Sequence, residues 1–517
     1  IRSMKNSINK NHDIFGLKNI DVTNLIRSDK IDIFIDLMGV TSAQKVEILK
    51  NRAAPIQIVW CGFCNSTGIE QVDYIISDPN LIYDSELNMY QEKINNYEQS
   101  AKKESDLGFD SERLSYIPKY FSSYIDKGKL PNFTLLVARN NEIAHLSSQG
   151  FSSVEDNKPI TNDSIYRFYS MTKPITSVAI MMLYEKGLLR LEHEVSRYLP
   201  EFKDIKVWKE GTAENYSTRE PSQPILIKDL LTHTSGLSYG FMTGHPAIKL
   251  YTTSGIASAK NSKTRIEMDL EEFSNTAASL PLLFDPGSQW HYSISIDILG
   301  RIIEVISGEK FDSFLKKNIF GPLNMTDTDF SVPEDKHHRF VDCYQELVSK
   351  SGNKLKRCFT GGEDIFSKPR NFLSGGGGLC STLADYANFC QMLLNDGDYM
   401  GKRILSPITA RYMRRNHLPE NKTMNDMGDE SFSEVRYDGA GFGLGFSPLI
   451  NSVKALSPAS EGSVSWGGMA STFFWVDPRE NFFTILLTQL IPSGRYPIRP
   501  QAQTLVYSAL MDLKKNS

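Results

Sequence analysis

The chain has 517 residues, 40 % of them apolar and 23 % charged, with a formal net charge of −4. That length is enough for about three domains with sizeable cores, and charge clusters of mixed sign exclude a footprint for nucleic acid or an anionic membrane surface. No apolar run approaches about 18 residues, which excludes a transmembrane helix.

Three short runs near the start predict strands: Ile31 to Leu37, Ile56 to Trp60 and Asp73 to Pro79. Ser42 is placed to cap a helix running to Lys50 between the first two. Alternation of strand and helix predicts a parallel sheet, hence a small α/β segment over residues 1–94. The stretches "IDIFIDLMG", "RAAPIQIVWCGFCNSTG" and "DYIISDP" resemble, in order and spacing, part of the catalytic region of glycosyltransferase family 41, the O-linked N-acetylglucosamine transferases. The resemblance implies the end of the first lobe of a two-lobed GT-B fold. No stretch resembles the second lobe, which supplies most of the nucleotide-sugar site, so the segment is expected to be a remnant, a fusion or an assembly error and not a working transferase. Cys61-Gly62-Phe63-Cys64 has the spacing of a redox pair, but it falls where that family has loop residues, and no second pair completes a zinc site. The six cysteines are too sparse for a disulfide scaffold and read as reduced thiols of a cytoplasmic protein. Because the chain begins at Ile1 and not Met, the lack of a leader at its start carries little weight.

Residues 95–107 ("NNYEQSAKKESDL") are polar and charged, which predicts a linker. A second domain then spans residues 108–517. Pro118 suits the first turn of a helix running to about Asp126. Asn140-Asn141 between two apolar runs signals a hairpin. Ile175 to Leu188 has apolar residues at helical spacing, and "STFFWVDPRENFFTILLTQL" reads as two strands turning at Asp477 to Asn481, apolar enough to be central in an antiparallel sheet. The order is α+β.

Chemistry concentrates at Ser170-Met171-Thr172-Lys173. Residues three apart share a helix face, with Cβ atoms about 5–6 Å apart, so Ser170 and Lys173 face each other across one turn. A lysine held in such a place can take a serine proton, and the start of a helix adds a positive dipole end. Ser-x-x-Lys alone is weak, since it recurs at Ser42–Lys45, Ser313–Lys316 and Ser351–Lys354. Its weight comes from Leu230 to Leu237 ("LLTHTSGL"), Tyr292 to Asp297 ("YSISID"), Gly375 to Thr382 ("GGGGLCST"), Gly441 to Phe446 ("GFGLGF") and Trp466-Gly467-Gly468.

In that order the set resembles the serine β-lactamase and penicillin-binding-protein superfamily, in the class C-like branch that includes family VIII carboxylesterases, over about residues 108–512. The resemblance implies a β-lactamase/transpeptidase-like fold with an antiparallel sheet, flanking helices and a helical region. It implies Ser170 as nucleophile, Lys173 and Tyr292 sharing proton transfer, and the N–H groups of Ser170 and Met469 as oxyanion donors. Trp466, Gly467, Gly468, Ser293 and Asp297 fall at substrate-binding positions; the two glycines let a substrate approach the strand edge. No metal and no cofactor are expected. The departures steer the substrate. β-Lactamases and D,D-peptidases usually carry Lys or His where Trp466 stands, and often Asn where Ile294 stands; an indole suits an apolar acyl or alcohol group better than a carboxylate. A small ester is therefore the expected substrate, with β-lactamase or D,D-peptidase activity, acyl transfer, or a binding protein without catalysis as alternatives.

Other candidates have plainer readings. Gly236-Leu237-Ser238-Tyr239-Gly240 matches the nucleophile elbow of α/β-hydrolases, but that elbow needs a strand before it and a helix after it. His233 and His291 read as structural, with no acid partner evident for His291, and His337-His338 as surface residues. Gly375 to Gly378 reads as a close-packed turn, since no Lys-Ser or Lys-Thr follows to make a phosphate cradle.

Overall fold

The computed structural model describes residues 104–256, 267–347, 354–359, 365–428 and 432–514, together with 22–24, 26, 33–36, 56–61 and 74–77 nearer the amino terminus. It divides into two units, Ile1–Asn88 and Met89–Ser517. In the first, β1 (Ile33–Asp36), β2 (Ile56–Cys61) and β3 (Tyr74–Ser77) form a parallel sheet in that order, with Ile33 opposite Ile56 and Ile58 opposite Tyr74. This is the α/β pattern's parallel sheet; the expected helix after Ser42 and the Cys64 position lie outside the described residues.

The second unit begins earlier than composition implies. Glu104–Leu107, assigned to the linker for its polarity, forms a 3-10 turn. Leu107 is buried, and its carbonyl accepts a hydrogen bond from Arg139 Nη1 at 3.0 Å. Glu104 adds a contact with His145 Nδ1 at 3.5 Å, so this polar stretch is tied to the core at both ends.

The centre is a seven-stranded antiparallel sheet of β4 (Asn132–Arg139), β5 (Glu142–Ser153), β6 (Lys158–Pro159), β7 (Ser447–Pro448), β8 (Val464–Gly467), β9 (Phe473–Asp477) and β10 (Phe482–Leu487). The order is β7-β8-β9-β10-β4-β5-β6, so the two carboxyl-terminal strands are central, as their apolar sequence requires. Asn140 and Asn141 have φ of 55° and 60°, the left-handed pair that a two-residue hairpin loop with matching twist demands.

Both sheet faces are covered. Leu136, Ala138, Phe483 and Ile485 enter one core, while Leu135, Val137, Phe482 and Leu486 enter the other, in the strict alternation that strands impose. The second core is closed by α1 (Tyr116–Asp126) and α5 (Ile498–Ala509), through Ile117 and Phe121 on one and Ile498, Ala502, Val506 and Ala509 on the other. The first holds α2 (Thr172–Glu185), α3 (Ser295–Ser307) and α4 (Leu383–Leu394). Because α2 is buried nearly all round, its first turn is held between sheet and helices. A short ladder, Ile165–Arg167 with Cys380–Thr382, brings the end of the glycine run beside the chain leading into α2.

Among the described residues Cys343, Cys358, Cys380 and Cys390 form no disulfide with one another. Among the described residues no helix is long and apolar enough to cross a membrane.

The hairpin loop gives a direct test. Asn141→Val places a β-branched side chain at positive φ, and urea denaturation is expected to show a loss of about 1–2 kcal/mol, whereas Asn141→Gly is expected to hold or raise stability.

Candidate active site

Ser170 lies on a single 3-10 turn, Tyr169–Met171, immediately before α2. The turn is fastened on several sides. Phe168 N–H donates to Leu379 O at 3.0 Å, Leu379 N–H donates to Thr172 Oγ1 at 3.1 Å, and Tyr386 O–H of α4 donates to Met171 O at 2.9 Å. Tyr169 itself has φ of 44°, a left-handed backbone that a non-glycine residue adopts only under restraint, and its ring packs edge-on against Phe366 at 5.6 Å.

Lys173, one turn into α2, has no exposed surface. Its Nζ donates to Gly376 O at 2.5 Å and lies 3.2 Å from Ser170 Oγ. On the other side of Ser170, Tyr292 O–H donates to Ser170 Oγ at 2.7 Å. Lys173 Nζ also sits over the Tyr292 ring at 4.5 Å. Lys173 and Tyr292, more than a hundred positions apart in sequence, therefore converge on the Ser170 hydroxyl.

The glycine run is what allows Lys173 to be buried. Gly376 N–H donates to Asp297 Oδ1 at 3.0 Å, and Gly375 O accepts from Thr176 Oγ1 at 2.8 Å. The turn is thus pinned between α2 and α3, with Gly376 O aimed at the lysine. A Cβ on Gly375 would come within 2.6 Å of Ile296 O, and one on Gly376 within 2.7 Å of Asp297 Oδ2 and Tyr239 O–H. The run is a close-packed turn, as its sequence implies.

Tyr292 stands on a buried polar chain. Ser293 Oγ lies 3.1 Å from His233 Nδ1 and 2.8 Å from Ser295 Oγ, which lies 2.7 Å from Ser235 Oγ. The His233 ring packs against Tyr292 at 4.9 Å. Burial, then Lys173 and His291, hold the His233 imidazole well below its ordinary pKa. Burial first, then the Glu434 carboxylate, push the Tyr292 phenol well above its ordinary range; contacts with Ser170 and the Trp466 indole offset this only in part.

The expected substrate-binding residues divide. Ser293 and Asp297 have no exposed surface and bond inward, beneath Tyr292 and to the glycine turn, so neither side chain lines an open cleft. Trp466 is also fully buried and packs on Tyr292 at 5.6 Å and Phe442 at 5.2 Å. The sequence places the indole at a substrate edge; in the fold it backs the phenol, because β8 alternation turns it into the core. Gly468 meets the chain entering the Ser170 turn: an added Cβ would lie 2.3 Å from Phe168 O. Met469 follows in a turn closed by Gly468 N–H to Thr472 O and Ser471 N–H to Gly468 O, both 2.9 Å, and the Met469 N–H takes part in neither bond.

The aromatic wall escapes the sequence reading. Tyr239, Phe241, Phe432 and Tyr292 form a ring of contacts, at 4.9 Å for Tyr239–Phe241, 5.7 Å for Phe241–Phe432, 6.0 Å for Phe432–Tyr292 and 5.3 Å for Tyr292–Tyr239. Phe241 is 40 % exposed, so this wall reaches solvent. The rival elbow resolves differently. Ser238 is fully buried, shares a hydrogen bond with His291 Nε2 at 2.9 Å, and follows a helix, Ile227–Leu231, where the elbow needs a strand. His337 and His338 lie on a 3-10 turn, Glu334–Arg339, that has no buried residue. Among the described residues no group of three or more His, Cys, Asp or Glu could hold a metal ion.

Residues 117–507 match the Beta-lactamase family. The chain belongs to the beta-lactamase family of serine hydrolases. Within that family, an uncharacterised protein of Mycobacterium tuberculosis is 30% identical over 370 residues, covering 71% of this chain and 88% of that protein. Esterase EstB of Burkholderia gladioli is 28% identical over 390 residues, covering 72% of this chain and 90% of the esterase. Among solved structures, EstCE1, described as a hydrolase with promiscuous acyltransferase activity, superposes with a TM-score of 0.62 at 26% identity, covering 77% of this chain and 98% of EstCE1. Residues 11–101 separately match Glycosyl transferase family 41.

For this beta-lactamase-family chain the histidines set an acid limit. His233 is held well below its usual pKa and His291 down to about 4, mainly by burial. A depressed folded-state pKa gives stability that is fully present above the unfolded value of about 6.5 and is lost as pH falls toward the folded one. The melting temperature is expected to drop between pH 6.5 and about 4, and His291→Gln to flatten that slope; an unchanged slope in the variant would assign it elsewhere.

Proposed function

We propose that the chain is a carboxylesterase for small esters that works through an acyl-enzyme on Ser170. The observation that carries this is the placement of one hydroxyl 2.7 Å from the Tyr292 phenol and 3.2 Å from the Lys173 amine. Acyl transfer needs a nucleophile, a proton acceptor, a donor for the leaving group and donors for the oxyanion.

Ser170 Oγ attacks the ester carbonyl carbon and gives its proton to Lys173 Nζ. The carbonyl π electrons move onto oxygen, where the N–H groups of Ser170 and Met469 receive them. Collapse expels the alkoxide, which takes the Tyr292 phenol proton; the Lys173 ammonium formed in the first step then gives its proton to the Tyr292 phenolate, which restores both groups. Water then enters, and the same groups run in reverse to release the acid. The phenol's raised pKa favours this division of roles: burial and Glu434 oppose a resting phenolate, which supports Tyr292 as donor and Lys173 as acceptor. Asp297 acts through Gly376 as a positioning residue, and Ser293 with His233 supports the phenol from below.

Substrate class follows from charge and shape. The strand position that carries a cation in carboxylate-binding relatives is Trp466, and Ile294 is apolar and buried, so an anionic group gains no partner there. Tyr239, Phe241 and Phe432 offer an apolar wall for an acyl or alcohol group. The likeness to Esterase EstB supports the same choice. Transfer of the acyl group to an alcohol is the second reading, favoured by a Ser170 only 9 % exposed and by the EstCE1 likeness; product analysis with added alcohol separates the two.

Ser170→Ala is expected to lower kcat on p-nitrophenyl butyrate by about 10⁴–10⁶, and Tyr292→Phe by about 10²–10⁴. Parent-level activity in Ser170→Ala would remove the assignment. The parent is expected to turn over p-nitrophenyl butyrate faster than nitrocefin; a preference for nitrocefin by thousands would move the reading to β-lactam hydrolysis.

A further inference from the structure

Behind the Gly468–Thr472 turn lies a charged pair, Arg499 and Glu434, that does not itself carry the proton. Along β8 successive side chains alternate faces, so Trp466 points at Tyr292 and Gly467 points the other way. There, a Cβ on Gly467 would lie 2.6 Å from Arg499 Cζ. Arg499 Nη2 donates to Gly468 O at 2.7 Å and to Thr472 O at 2.9 Å, and Nη1 donates to Glu434 O at 2.7 Å. Gly468 O and Thr472 O are the two carbonyls that close the turn carrying Met469. The Glu434 carboxylate, wholly buried, sits 2.9 Å from Arg499 Nη2 and balances its charge.

A buried guanidinium–carboxylate pair rarely adds stability over apolar packing, because desolvation offsets the Coulomb gain. Holding three backbone carbonyls gives this one a geometric use. We propose that Arg499 is a positioning residue: it clamps the Gly468–Thr472 turn so that the Met469 N–H is fixed where the oxyanion develops, and Gly467 is glycine because the guanidinium occupies the space of its side chain. This rests on the acyl-enzyme reading above. Oxyanion donors act at 2.7–3.1 Å, and a turn free to drift loses that fit without losing substrate contacts.

The behaviour expected of Arg499→Ala is a fall in kcat of about 10²–10³, with KM within about threefold and unchanged far-ultraviolet dichroism. A cleft of about 460 Å³ lined by Arg499, Glu434, Ser465 and Tyr496 opens onto the vacated position. Methylguanidine at tens of millimolar is therefore expected to restore at least about tenfold of the lost rate. Gly467→Ala is expected to mimic the loss in the parent but to add less than about threefold in the Arg499→Ala background, since the group it displaces is gone. Arg499→Lys, which keeps the charge and loses the fork, serves if the alanine variant does not fold; it is expected to lose rate without gaining KM. A kcat within about threefold of the parent in either Arg499 variant, or additive losses in the double variant, would overturn the proposal. Fluorophosphonate labelling keeps the two readings apart. Complete but slow labelling of Arg499→Ala agrees with the clamp, whereas a folded parent left unlabelled at Ser170 overturns the acyl-enzyme reading itself.

Discussion

A lysine amine without any contact with solvent is the constraint on which the site depends. Burying such a group without partners is costly enough to expel or neutralise it, so every neighbour of Lys173 has a defined task. Gly376 O accepts its hydrogen bond, Ser170 Oγ lies beside it, and the Tyr292 ring covers it. Gly376 O can be there only because the turn has no side chains to keep it out of the gap between α2 and α3. Asp297 then fixes the turn through its backbone N–H. The Ser170 turn, the glycine turn and α3 are one packing unit, and the surroundings of Lys173 are a property of that unit more than of any single residue.

The electrostatics divide along the sheet. In front of β8 the groups are neutral or apolar: a phenol kept protonated, an imidazole kept uncharged, an indole and a ring of aromatic side chains. Behind it sits a compact ion pair whose field reaches the front, since Glu434 is the largest charge opposing ionisation of Tyr292. A single strand separates the two environments, and two successive glycines leave room for the Arg499 guanidinium at one and for Phe168 O at the other.

Much of this was legible in the sequence. The parallel order of β1 to β3, the Asn140-Asn141 hairpin and the central place of β9 and β10 follow from periodicity and turn chemistry, which are local. The meeting of Ser170, Lys173 and Tyr292 was legible only through the order of several motifs, because spacing within one helix says nothing about a phenol that arrives from another element. Trp466 shows the limit of such reading: its position in a motif suggests a substrate edge, while the pleat of β8 turns it inward. Gly376 supplies a carbonyl, which every residue has, so its partner was invisible. Leu107 was hidden by its polar neighbours, and Phe432 and Arg499 join the site through tertiary contacts with no local signature.

The left-handed Tyr169 next to Ser170 has a consequence for sequence drift. Its backbone is costly for any side chain by about 1–2 kcal/mol, yet its ring is held against Phe366. Glycine there would relieve the torsion but surrender the anchor, while a β-branched aliphatic residue would worsen the torsion and supply no ring. The alphabet open to that position is accordingly narrow, so a residue that never touches the reacting atoms is fenced in almost as tightly as the serine that follows it.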